Sequence, residues 1–265
     1  MSSGDDKPPA LPDADPWTGL RRLTAARIGL PRSGASLATA PLLAFQLAHA
    51  QARDAVHAEL DMARLTDDLG GLGGPGSPDL PVVAVESAAH DKQTYLMRPD
   101  LGRCLTPSSE SMLAPHAGNY DLVFVVSDGL SARAAQMHAA PVIAAARAAL
   151  PRDGWSIAPV VIIRHGRVAA GDAVARLLRA GCVAVLIGER PGLSAPDSLG
   201  VYMTWQPEAQ TSDADRNCIS NIRPAGIGYA DAGHKLAHLL SAMRKRGVSG
   251  VSLKDDSERL QIGSA

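Results

Sequence analysis

Aromatic side chains are scarce in this sequence: they make up 3% of its 265 residues, with only two Phe. A core cannot be built on rings at that density. Val, Ile, Leu and Ala must fill it, as they do where helices cover a parallel sheet. Cysteine is scarce too. Cys104, Cys182 and Cys218 stand far apart and form no Cys-x-x-Cys pair, which argues against a zinc knuckle or a dithiol redox site and fits a reducing, cytoplasmic compartment. The sequence has no apolar run long enough to span a membrane, and its polar, Pro-rich start does not read as a signal peptide. A net charge of −1 gives no general surface for nucleic acid or membrane. Three familiar signatures are also missing: Gly-x-x-x-x-Gly-Lys for a phosphate loop, His-Glu-x-x-His for zinc and Gly-x-Ser-x-Gly for a nucleophile elbow.

What is present suits a globular α/β protein. Hydrophobic residues reach 46% and charged residues 20%, enough apolar side chain for a sizeable core. Met1 to Pro16 hold Ser, Gly, Asp, Lys and four prolines. So little apolar surface cannot offset the entropy of ordering, and a disordered tail is expected over residues 1–17. Such a tail suits an address for a larger assembly, such as a bacterial microcompartment, or no role at all. Pro41 suits a first helical turn. After it Leu42, Phe45, Ala48, Ala52, Val56 and Leu60 recur at three- and four-residue spacing, which predicts an amphipathic helix whose other face carries Gln46, His49, Arg53, Asp54 and His57. Gly70 to Pro78 break the pattern, and Val82 to Val85 read as a short strand. The Pro-, Ser- and Gly-rich stretch from Asp100 to Gly118 places a boundary between a helical N-terminal interaction region, residues 18–115, and an α/β domain, residues 116–265.

Beyond Tyr120, apolar runs alternate with helical spacing. Strands are predicted at Leu122–Val126, Pro159–Ile163, Cys182–Ile187 and Val201–Trp205, with a last one at Val248–Leu253. Helices are predicted at Leu130–Leu150 (kinked or divided by Pro141), at Gly171–Ala180 and through Tyr229, Ala232, Leu236, Leu239 and Met243, with Gly247 as its stop. The expected fold is therefore a mostly parallel sheet flanked by helices, preceded by a smaller helical N-terminal domain and a disordered tail.

Several short patterns invite a chemical reading. Gly71-x-Gly73-x-x-Gly76 has the form of a dinucleotide fingerprint, but it precedes the strand-like run and opens no helix, so it reads as linker. His49 and His57 lie two helical turns apart; a solvated face and a subunit contact both fit better than a metal site. Asp128, in Ser127-Asp-Gly129 after a strand, suits either a ligand contact or the cap of the following helix. Glu189-Arg190-Pro191-Gly192 starts where another strand ends, in a position suited to a polar ligand or to an ordinary turn. Cys218 and Cys182 read as small apolar fillers.

Longer segments carry a resemblance. Leu23-Thr-Ala-Ala-Arg-Ile-Gly-Leu30 with the helix that follows, Leu186-Ile-Gly-Glu-Arg-Pro-Gly-Leu-Ser-Ala-Pro-Asp-Ser-Leu-Gly200, and Asp213-Ala-Asp-Arg-Asn-Cys-Ile-Ser-Asn-Ile-Arg-Pro-Ala-Gly226 together resemble the small subunit of ethanolamine ammonia-lyase. Arg98-Pro-Asp-Leu-Gly-Arg103 and Ser127-Asp-Gly-Leu-Ser-Ala132 add to it, and the likeness runs through most of the chain from Thr18 onward. It implies a lyase of two kinds of subunit that uses adenosylcobalamin to convert ethanolamine to acetaldehyde and ammonia. Substrate chemistry lies in the barrel of the large subunit, and the cobalamin lies between that barrel and the α/β domain of the small one. The matching motifs imply cobalamin contacts at Val168, Glu189 and Cys218. No Asp-x-His-x-x-Gly motif is present, so the cofactor is expected to keep its own base on cobalt. Two other classes remain open: a self-contained α/β hydrolase or nucleotide enzyme using Asp128, Glu189 and Cys218, and a non-catalytic assembly protein.

Overall fold

The computed structural model describes residues 17–24, 26–72, 80–151 and 154–257. Nearly all of the expected tail, and the Gly71–Gly76 fingerprint beyond Leu72, lie outside the described residues. The chain forms two compact units that divide between Ala50 and Gln51.

The first unit holds α1 (Trp17–Arg21), a short antiparallel pair, β1 (Arg32–Ser33) with β2 (Ser36–Leu37), and most of α2 (Thr39–His57). Pro41 sits in the first turn of α2, where backbone N–H groups have no intrahelical partner to lose. The predicted stripe is only partly covered. Ala48 is buried, while Leu42 and Phe45 are each 39% exposed. Leu43 and Leu47, which the spacing does not single out, are 58% and 61% exposed.

The second unit is built on a six-stranded sheet. In chain order its elements are α3 (Met62–Gly70), β3 (Val82–Glu86), α4 (Lys92–Met97), α5 (Pro107–Leu113), β4 (Tyr120–Ser127), α6 (Ala132–Ala149), β5 (Val160–Arg164), α7 (Ala170–Leu178), β6 (Ala180–Gly188), β7 (Leu199–Trp205), β8 (Arg216–Ile222) and α8 (Tyr229–Arg246). The spatial order is β3-β5-β4-β6-β7-β8. The first four strands run parallel; β7 and β8 join antiparallel to their neighbours.

Strand alternation divides the core in two. Leu122, Phe124 and Val126 of β4 point to one face, where they meet Ile162, Leu186 and the apolar sides of α3, α6 and α8. Val123 and Val125 point to the other, with Val161, Val183, Val185 and residues Val174 and Leu178 of α7. The continuous apolar runs in β4, β5 and β6 thus reflect cover on both faces. Cys182 is a buried filler of the first core, as its neighbours imply.

Three details depart from the sequence reading or refine it. Pro141 does not divide α6, which is continuous. It lies on a partly exposed face, one turn after the 45%-exposed Met137, so the carbonyl it leaves unpaired can be hydrated. The strand expected at Val248–Leu253 is instead a 3-10 turn, Gly250–Ser252. Its backbone groups are satisfied by a side chain: Asn217 Nδ2 donates to the carbonyls of Gly250 (3.2 Å) and Leu253 (2.8 Å), and Asn217 Oδ1 accepts from Gly250 N–H (2.7 Å). Gly247 ends α8 as expected, in the left-handed region at φ 66°. No helix among the described residues is long and apolar enough to cross a membrane.

Candidate functional site

The sheet has one partly bare face. Helix α7 packs on β4 and β6, and α8 packs on β7 and β8 from the opposite side. On the α7 side of β7 and β8, Thr204 and Arg216 are buried beside Asp172 of α7, while Tyr202 is only partly covered and Cys218 is exposed. Alternation brings Tyr202 to this surface, against the second core, and register sets it beside Val185 of β6 and Cys218 of β8. Tyr202 is half-buried and Cys218 is exposed.

Glu189 stands at the rim of that surface, one residue past the end of β6. Its backbone N–H donates to Ser198 carbonyl (2.9 Å). The Ser198 hydroxyl and the Asn221 N–H (3.3 Å) both donate to Glu189 Oε2. Below it lies Gly200, where a Cβ would come within 2.9 Å of Oε1. The loop from Arg190 to Ser198 is pinned from α6: Ser131 Oγ donates to Pro196 carbonyl (3.0 Å), and fully buried His138 points Nε2 to within 3.9 Å of Asp197.

Burial pushes the Tyr202 phenol up to about 12, with Cys218 and Glu189 adding to the shift. Burial also raises the Cys218 thiol. The Tyr202 hydroxyl, bonded to the sulfur, partly offsets that, and the Glu189 carboxylate adds to it. Both groups are thus neutral near pH 7. A bidentate ion pair ties the floor together: Arg216 at the start of β8 donates through both terminal nitrogens to Asp172 of α7 at 2.8 Å, and to Thr204 Oγ1 at 3.1 Å. Arg216 and Asp172 are both buried.

Val168 lies just after β5, in the turn that opens α7, half-buried against the second core. The turn is fixed by its neighbour. Arg167 N–H donates to Gly102 carbonyl (2.7 Å), and its guanidinium donates to Tyr95 carbonyl (2.9 Å) while stacking 4.6 Å from the Tyr95 ring. Of the three residues assigned by resemblance, the fold gathers Glu189 and Cys218 around Tyr202. It places Val168 at the end of β5, two strands from β6 and on the same side of the sheet.

Asp128 does not cap α6; the Ser131 side chain does, accepting from Ala134 N–H. Asp128 is instead buried beside a cleft of about 390 Å³ at the carboxyl ends of β3, β5 and β4, where open α/β sheets gather ligands. His57 also lines this cleft, whereas His49 is simply exposed. No group of three or more metal-ligating side chains occurs among the described residues. Sequence reasoning missed Tyr202, Ser198, Lys92 and His165. Tyr202 had a usable signal: in a strand over Val201–Trp205 it must face opposite to Val201 and Met203. The others are joined to the site only by folding.

Comparison with known proteins agrees on one family. The ethanolamine ammonia-lyase light chain family matches residues 14–254. The ethanolamine ammonia-lyase small subunit of Azotobacter vinelandii is 50% identical over 264 residues, covering 98% of this chain and 95% of that protein. Those of Ralstonia nicotianae and Xanthomonas campestris are 50% and 51% identical over 262 and 260 residues, each covering 97% of this chain and at least 93% of the relative.

Proposed function

We propose a function for this chain from one premise: it belongs to the ethanolamine ammonia-lyase light-chain family, and so is one subunit of a two-subunit lyase. Its part in that enzyme is to provide one wall of an adenosylcobalamin site, which the large subunit closes. The observation that carries this reading is the half-covered sheet. A broad surface of mixed character stays open beside β6, in a sheet whose central strands β4, β5 and β6 are covered on both faces.

The residues present fit the group. A corrin has wide apolar faces and a rim of primary amides. Val168 offers apolar contact. Glu189, already oriented by Ser198 and Asn221, offers carboxylate oxygens to amide N–H donors. Tyr202 and Cys218 supply a neutral floor that packs without reacting. When bound, adenosylcobalamin supplies the radical chemistry that takes ethanolamine to acetaldehyde and ammonia. The residues of this chain bind and orient the cofactor, and reaction of the substrate belongs to the large subunit. Exposed Leu43 and Leu47 of α2 give that partner an apolar surface to cover.

A self-contained enzyme is disfavoured by the chemistry of its best nucleophile. Cys218 has its thiol pKa raised, whereas a catalytic thiol needs it lowered. The deciding experiment is acetaldehyde release from ethanolamine after mixing this chain with a large subunit, with and without adenosylcobalamin. Turnover requiring both proteins and the cofactor is the expected result. Turnover by this chain alone, or none with a large subunit that works beside its own partner, overturns the reading.

A further inference from the structure

The cleft beside Asp128 is joined to the Glu189 edge by backbone. Leu130 N–H donates to Gly188 carbonyl at 2.9 Å, and Gly129 (φ 55°) lies so close that a Cβ there would stand 2.3 Å from the same oxygen. The ends of β4 and β6 therefore form one continuous ledge.

Three side chains converge in the cleft: Asp128 from the end of β4, His165 from the end of β5 and Lys92 from the first turn of α4. Asp128 is 3% exposed; its Oδ1 accepts from Gly129 N–H at 3.0 Å, and its Oδ2 faces His165 Nε2 at 3.8 Å. His165 Nδ1 lies 3.2 Å from Ala89 carbonyl. A carbonyl only accepts, so Nδ1 carries the hydrogen, and in that tautomer Nε2 is the acceptor. Lys92 Nζ donates one hydrogen to Gly129 carbonyl at 2.8 Å and keeps two more. The cleft thus presents two acceptors 3.8 Å apart, with a multiple donor beside them.

We propose that this cleft is a subsite for a primary carboxamide, and that it seats an amide arm of the corrin rim. The inference rests on the cobalamin reading above. One –NH2 carries two hydrogens, enough to reach both His165 Nε2 and Asp128 Oδ2 across their 3.8 Å gap. Its carbonyl oxygen accepts from Lys92. The charge balance points the same way. Lys92 and Arg164 face Glu59, Asp91 and Asp128. The carboxylates there outnumber the lysine and arginine cations, which disfavours a phosphodiester and favours a neutral polar group.

The test uses the complex of this chain with its large subunit and measures corrinoid dissociation constants by spectroscopic titration. Cobalamin is compared with cobinamide, which keeps the amide rim and lacks the nucleotide tail. Lys92→Met and Asp128→Asn should each weaken both ligands about ten- to a hundredfold, by the same factor. Because a buried aspartate variant can misfold, the wild-type complex is also titrated with cobalamin monocarboxylic acids, in which one amide has become a carboxylate. One isomer should bind at least about tenfold more weakly than the others, since it sets a negative charge against Asp128. Unchanged binding in Lys92→Met, or equal affinity for all the isomers, overturns the subsite. A loss seen with cobalamin and not with cobinamide overturns the rim assignment in favour of the tail. If the wild-type complex binds neither corrinoid, the cobalamin reading itself fails, a result distinct from any of these.

Discussion

The two halves of the sheet are built to different rules. In β4 and β6 nearly every side chain is buried, because α6 and α8 lie against one face and α7 against the other. In β8 buried positions are interspersed with open ones: Arg216, Ile219 and Ile222 are buried, and Cys218, Ser220 and Asn221 are exposed. The first half has hydrocarbon on both faces and holds the fold. The second has hydrocarbon on one face and polar, half-buried groups on the other, which leaves a surface for a ligand. The two are locked together by Arg216 and Asp172, the ion pair that joins β8 to α7.

Breaking that lock should have the largest effect. Arg216→Met strands the Asp172 carboxylate in a buried site, and a loss of about 4 kcal/mol is expected in urea denaturation. Replacing both partners with apolar residues of similar volume should restore most of it, since the cost lies in the unpaired charge. Within the covered half, Leu186→Ala empties a fully buried position in the first core and should cost about 3 kcal/mol by the same measurement. If an equally large loss followed from Tyr202→Phe, the two halves would not differ in the way described.

Glu189→Ala should leave stability nearly unchanged and weaken adenosylcobalamin binding by about ten- to a hundredfold, the range for hydrogen bonds to a charged group. Turnover at saturating cofactor should hold. Turnover lost at saturation with affinity intact would move Glu189 from binding to another role.

The smallest expected effect concerns alkaline pH. The phenols of Tyr95 and Tyr202 and the thiol of Cys182 are each pushed up to about 12, chiefly by burial. A raised pKa in the folded state means that the neutral form is favoured by folding. The stability this gives is complete below the ordinary values of 9.0 for the thiol and 10.0 for the phenols, and is lost as the pH rises toward 12. Tyr202→Phe removes one of the three groups, so the fall in urea midpoint over that range should be shallower than in the wild type. The same variant deletes the hydroxyl that holds the Cys218 thiol down, so alkylation of Cys218 in the free chain should slow.

Much of the covered half was legible in the amino-acid sequence, because a strand buried on both faces leaves a continuous run such as Leu122–Val126. The end of α8 was equally plain, since Arg244, Lys245 and Arg246 before Gly247 satisfy a helix terminus locally. The strand expected at Val248–Leu253 failed for the opposite reason. Apolar residues there looked like another strand, but the backbone partners come from Asn217, some thirty residues earlier. Of the two readings of Asp128, the helix cap is excluded by Ser131, a better-placed cap three residues on.

The sequence by itself determined the class of fold, the family and the motifs around Val168, Glu189 and Cys218, because each depends on residues adjacent in the chain or repeated with a fixed period. Only the tertiary structure decided that β7 and β8 are partly open on one side, that Tyr202 joins Glu189 to Cys218, and that Lys92, Asp128 and His165 meet in one cleft. Those facts depend on strand order and on which face each helix covers. Both are set by the packing of the whole sheet, and neither leaves a local mark in the chain.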